Sequence, residues 1–87
     1  QDLTPDLARR LRAPAGSEGA VVTEVDPRSP AARAGLAPGD LITEVNRTPV
    51  ANSNQASREF QKVRSGQIAT VLVVRDTQEV FLTLRKP

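Results

Sequence analysis

The 87 residues predict an α+β fold that is mainly β, a partly open barrel or sandwich of about five strands capped by two helices. Three observations predict it. Apolar and polar residues alternate in short, strand-length runs, as in Val21, Thr23 and Val25, in Leu41, Thr43 and Val45, and in Val80, Leu82 and Leu84. Ile68 to Arg75 is almost continuously apolar, the pattern of a strand covered on both faces. Between these runs stand helix-start signals: Thr4 before Pro5, Ser29 before Pro30, and Asn52 with Gln55 three residues on.

Taken in order, a short helix starts at Pro5 with Thr4 as its cap, and Leu7 and Leu11 share one face. Arg12 to Glu18, around Ala13-Pro14-Ala15-Gly16, reads as a loop, and from Gly19 to Val25 the period changes to that of a strand. In Ser29-Pro30-Ala31-Ala32-Arg33-Ala34-Gly35, serine caps, proline needs no N–H at the first position, alanines propagate, and glycine stops the helix at positive φ. Pro38-Gly39 forms the next corner, and Asp40 leads into the strand Leu41–Val45. Asn46-Arg47-Thr48-Pro49-Val50 is a turn with a brief extended piece. A helix runs from Ser53 to Arg64 and Gly66 closes it. Asp76-Thr77-Gln78 joins the last two strands as a hairpin, with Val80, Leu82 and Leu84 inward and Phe81, Thr83 and Arg85 outward.

Composition bounds what such a fold can do. With 38% hydrophobic residues but only two Phe and no Tyr or Trp, one core is built from Val, Leu, Ile and Ala, and residues 1–87 form a single domain. Twelve basic residues are dispersed among ten acidic ones for a net charge of +2, and no aromatic platform exists for stacking bases, so nucleic acid is not the expected partner. No apolar run reaches the length of a membrane span, so direct membrane insertion is not expected. Without His or Cys, neither a Ser-His-Asp nor a Cys-His set can be assembled. The carboxylates stand singly, without the spacing of a Ca²⁺ loop. Gly35-Leu36-Ala37-Pro38-Gly39 lacks the lysine and the following helix of a phosphate loop. No cofactor is expected and the chain is not expected to be an enzyme, which leaves binding. The absence of an initiator Met and of a leader reads as an excerpt of a longer protein.

Gly19-Ala20-Val21-Val22-Thr23-Glu24-Val25, then Ser29-Pro30-Ala31-Ala32-Arg33-Ala34-Gly35-Leu36, Pro38-Gly39-Asp40-Leu41-Ile42 and Asn46, followed by helix and hairpin, resembles the PDZ domains of HtrA-type (Do-like) bacterial serine proteases. The resemblance runs from about Gln1 to Arg85. It implies a PDZ-like fold in the bacterial, permuted strand order. It also implies a groove that takes C-terminal tails or exposed hydrophobic segments of unfolded protein as an added strand. Carried over, the receiving strand ends at Gln1, Asp2 and Leu3, and the facing helix line is Ser53, Ala56, Ser57 and Phe60. Beside those roles stand plainer ones: helix capping for Ser53, a solvated face for Ser57, and core packing for Phe60.

The family's carboxylate-binding loop precedes the receiving strand and is not among these 87 residues, so the segment is expected to fold yet bind peptides weakly. The resemblance further implies a serine endopeptidase parent, homo-oligomeric, acting in protein quality control in the periplasm or cell envelope. Alternatives are a module that holds protomers or domains together through residues such as Arg33 and Glu44, or the PDZ-like domain of a site-2 metalloprotease, a carboxy-terminal processing protease or a secretion component.

Overall fold

Each helix begins where a side-chain oxygen can take up an N–H that the helix leaves unpaired. The computed structural model describes residues 1–13 and 16–86; Pro14 and Ala15 of the loop read over 12–18, and Pro87, lie outside the described residues. In α1 (Pro5–Leu11) Thr4 Oγ1 accepts from the Leu7 N–H at 3.2 Å. In α2 (Pro30–Ala34) Ser29 Oγ accepts from Ala32 at 3.3 Å, and Gly35, at φ 98°, closes the helix. In α3 (Ser53–Gln61) Asn52 Oδ1 accepts from Gln55 at 2.9 Å, while Gln55 Oε1 reaches back to the Ala51 N–H at 2.7 Å.

The helix expected to reach Arg64 ends at Gln61. The Val63 N–H turns back to Phe60 O at 3.1 Å, a tighter turn that swings Val63 into the core, where it is buried. Gly66, at φ 83°, then makes the corner into the next strand, its N–H donating to Lys86 O at 2.7 Å.

The strands are β1 (Ala20–Val21), β2 (Leu41–Val45), β3 (Thr48–Pro49), β4 (Ile68–Arg75) and β5 (Gln78–Arg85). They form one antiparallel sheet in the order β1-β2-β4-β5, with β3 folded back on β2. Asp2 bridges Ala20 on the far side of β1, so the segment Gln1–Leu3 is the outermost line at that end. Both tight turns place two non-glycine residues at positive φ, Asn46 and Arg47 (50° and 67°) and Asp76 and Thr77 (50° and 66°). That geometry matches the right-handed twist of the strands they join. Asn46 is held there by β4: its N–H donates to Thr70 O, and its Oδ1 accepts from the Thr70 N–H.

The strand read from Gly19 to Val25 is shorter than its alternation predicts. Past Val21 the chain is still bonded to the neighbouring segment at Val22, which donates to Asp40 O and accepts from the Gly39 N–H. The chain then leaves the sheet and turns on Asp26, whose Oδ1 accepts from the Arg28 N–H and whose carbonyl accepts from Ser29.

The core is aliphatic, as composition requires: Ala20, Leu36, Ile42, Val45, Val50, Ala56, Val71 and Val73, with Phe60, Val80, Leu82 and Leu84 packed against it. α2 lies against β5, and α3 against β1 and β2. α1 buries none of its residues and stands outside that pair.

Candidate functional site: a sheet edge beside a helix

The first three residues and α3 are distant in sequence but adjacent in space. Gln1 exchanges two bonds with Val21, its amino group donating to Val21 O at 3.0 Å and its carbonyl accepting from the Val21 N–H at 2.6 Å. In an antiparallel ladder the residue next to such an exchanged pair points its own N–H and C=O the other way. That residue is Asp2, so its backbone faces the open edge. Its side chain is fixed to α3, with Oδ1 accepting from the Ser53 N–H at 2.7 Å and from Ser53 Oγ at 2.6 Å. Ser53 is therefore not the cap, a role that Asn52 holds; its hydroxyl ties the edge to the helix.

These bonds, the hydroxyl first and the backbone N–H second, hold the Asp2 carboxyl below its ordinary pKa of 3.8. Because the folded value is depressed, the tether is at full strength above 3.8 and is lost as pH falls through the lower folded value. Following the Ser53 amide by NMR against pH should give a midpoint below 3.8, and Asp2→Asn should abolish that titration. A midpoint at or above 3.8 would mean that the tether does not form in solution.

One turn further along α3, Ser57 is exposed and Phe60 half-buried. Both line a cavity of about 530 Å³ whose apolar wall includes Leu36, Ile42, Val63, Ala69 and Leu84. Lys86 closes one side, its Nζ donating to Phe60 O at 3.1 Å. Of the residues named from the sequence, the structure thus ties Asp2 to Ser53 at the start of α3, while Gln1 is bonded to Val21 and Leu3 is next along the chain and half-buried. Ser57 and Phe60 stand at the cavity. Ala56 is buried in the core behind them, 5% exposed, and does not line the cavity. The cavity's other walls went unread in the sequence. Alternation marks Leu84 as inward, but nothing local tells a filled interior position from one facing a void.

A second cavity, of about 550 Å³, lies between the end of α1 and the β4–β5 turn, with Arg10, Arg12, Asp40, Arg75 and Asp76 among its lining. Its polar centre is already occupied by structure. Asp40, 1% exposed, accepts from Arg75 Nε at 2.8 Å, from Arg75 Nη2 at 2.6 Å and from the Ala37 N–H at 2.9 Å. Arg75 Nη2 also donates to Gly35 O at 2.7 Å. Hydrogen bonding to Asp40, and then its charge, raises the Arg75 pKa above the ordinary value. Among the described residues no group of three or more Asp, Glu, His or Cys converges on a metal-sized site, and no helix is long and apolar enough to cross a membrane.

Residues 21–75 match the family model of the PDZ domain. A probable periplasmic serine endoprotease, DegP-like, from Chlamydia pneumoniae is 40% identical over 87 residues, which is 100% of this chain and 17% of that protein. A putative serine protease HhoB from Synechocystis is 33% identical over 90 residues, 95% of this chain and 22% of the relative. The solved HtrA-type protease AlgW with decapeptide superposes with a TM-score of 0.82 at 35% identity, covering 100% of this chain and 28% of that one. The chain spans about a fifth of the length of these curated relatives.

Proposed function

The chain belongs to the PDZ family, in the form carried by HtrA-type serine proteases, and from that premise we propose that it is a peptide-recruiting module of a serine endopeptidase of the cell envelope. The observation that carries this reading is the pair of opposite assignments on Asp2: a side chain anchored to Ser53 and a backbone turned to the open edge. An extended peptide adds there as one more strand, its N–H and C=O groups completing the ladder. Its apolar side chain enters the cavity beside Ser57 and Phe60. The related AlgW has been solved with a decapeptide and with a tripeptide, which supports a peptide as the class of ligand.

Binding here does no chemistry. In our reading cleavage belongs to a separate domain of the parent, and the module raises the local concentration of a substrate's tail or exposed apolar segment at that domain. Names of relatives that include "periplasmic" support the envelope location.

The test is titration of the ¹⁵N-labelled chain with a decapeptide ending in an apolar residue. Shift changes should concentrate on Asp2, Leu3 and Ser53 to Phe60, and Ser57→Trp, which fills the cavity mouth, should weaken binding about tenfold or more, or about 1.4 kcal/mol. The exposed position makes a change in melting temperature unexpected. Shifts gathered at Arg33 and Glu44 instead would replace recruitment by a contact between domains, and unchanged affinity in Ser57→Trp would remove the cavity from the proposal.

A further inference from the structure

The opposite end of the sheet ends in an open strand. In the β4–β5 ladder Arg75 pairs with Gln78 across a two-residue turn, and the register continues without a shift to Ile68 opposite Arg85. Arg75 and Gln78 flank a two-residue turn and so form a hydrogen-bonded pair, and alternation then assigns Gln78, Val80, Leu82 and Leu84 to bonds with β4. The bond from the Lys86 N–H to Gln67 O at 2.9 Å continues that series. Glu79, Phe81, Thr83 and Arg85 therefore aim their backbone N–H and C=O groups away from the sheet.

Edge strands are usually kept short, bulged, or interrupted by proline or lysine to prevent pairing. β5 runs for eight residues with no bulge and no proline, and Phe81 on it is 65% exposed. A groove of about 330 Å³ follows this edge, between Thr83 and Arg85 on one side and Pro30, Arg33 and Ala34 of α2 on the other.

The side chains beside those free backbone groups read Glu79, Phe81, Thr83, Arg85, a series that is complementary to itself in reverse. We propose that β5 pairs antiparallel with β5 of a second copy of this chain, about a two-fold axis through Leu82. That register places Glu79 opposite Arg85 at both ends and Phe81 opposite Thr83 between them. The outward N–H and C=O groups of each strand exchange bonds with the other. Opposite charges directly across a ladder favour this pairing, and a one-step slip would bring the outward backbone of one strand against the inward backbone of the other. The contact is isologous, so it closes at two copies. Glu79, Phe81, Thr83 and Arg85, whose outward groups make the contact, are not among the residues lining the proposed peptide cavity, and the pairing is tested separately from that reading.

Sedimentation equilibrium of the full chain from micromolar to millimolar concentration tests it. The wild type should show a monomer–dimer equilibrium. Glu79→Arg and Arg85→Glu, each of which turns both end pairs into like-charge pairs, should each raise the dissociation constant about tenfold or more, and the double variant Glu79→Arg/Arg85→Glu should bring it back to within about threefold of wild type. Amide exchange at Phe81 and Thr83 in the wild type should slow as concentration rises, a readout that needs no variant. A chain that stays monomeric throughout, a double variant no better than the singles, or exchange at Phe81 and Thr83 independent of concentration would overturn the proposal.

Discussion

Replacing Gly19 by alanine is expected to lower the free energy of unfolding by about 3 kcal/mol or more, the sum of roughly 1–3 kcal/mol for overpacking and roughly 1–3 kcal/mol for a strained backbone. A Cβ at position 19 would stand 2.2 Å from Ile42 O and 3.1 Å from the Ile42 carbonyl carbon. Both are backbone atoms of a central strand and cannot swing aside as a side chain could. The residue also sits at φ 152°, where an L side chain is disfavoured in its own right. The only relief is for β1 to move off β2, which breaks the pairing of Ala20 with Ile42 and disturbs one wall of the larger apolar cavity.

Gly66→Ala is the control. Its φ is 83° but no atom lies within 4 Å of the added carbon, so about 1 kcal/mol of backbone strain is all that is expected. Urea denaturation of both variants measures the difference. Equal losses at the two positions would mean that the close approach of Gly19 to β2 does not hold in solution.

Asp40→Ala is expected to cost about 3 kcal/mol. The carboxylate is almost wholly buried and accepts three bonds, and alanine leaves the Ala37 N–H without its acceptor. Removing one partner of a buried ion pair usually costs about 3–5 kcal/mol, and the lower end applies here. The Arg75 side chain, 37% exposed, can turn to water. Asp40→Asn keeps the shape and one acceptor oxygen, so about half that loss is expected. The pair is shielded, and the wild-type advantage over Asp40→Ala should change little between low and high salt. A loss below about 0.5 kcal/mol for Asp40→Ala, within the ordinary range for surface substitutions, would show that the bonds to Arg75 and Ala37 contribute nothing net.

Local signals were legible in the sequence wherever one or two residues decide the backbone. Thr4, Ser29 and Asn52 cap the helices they were expected to cap, Gly35 stops α2, and the Asp76-Thr77 corner turns the hairpin with Phe81 outward and Leu82 inward. Element lengths were less legible. Val21, Thr23 and Val25 alternate as well as any strand, yet pairing ends at Val21 because the neighbouring segment turns away at Pro38-Gly39. α3 stops at Gln61, where the Val63 N–H turns back to Phe60 O and the Val63 side chain is buried.

Partners far apart in sequence were out of reach altogether. Asp40 reads as a strand-leading aspartate and Arg75 as a strand-ending arginine, and nothing in either neighbourhood announces the other. The same holds for Asp2 with Ser53. The helix line Ser53, Ser57, Phe60 was legible from spacing, but spacing could not say that Ala56 points into the core while Ser57 points into a void.

The five residues of α2 form a wall of two separate recesses. Ser29, Pro30 and Ala31 at its start border the large apolar cavity, and Pro30, Arg33 and Ala34 border the channel along β5. A rod this short, pinned at its far end where Arg75 holds the Gly35 carbonyl, moves as one piece or not at all. Because Pro30 belongs to both walls, the two recesses share one side, and the placement of α2 sets the width of each.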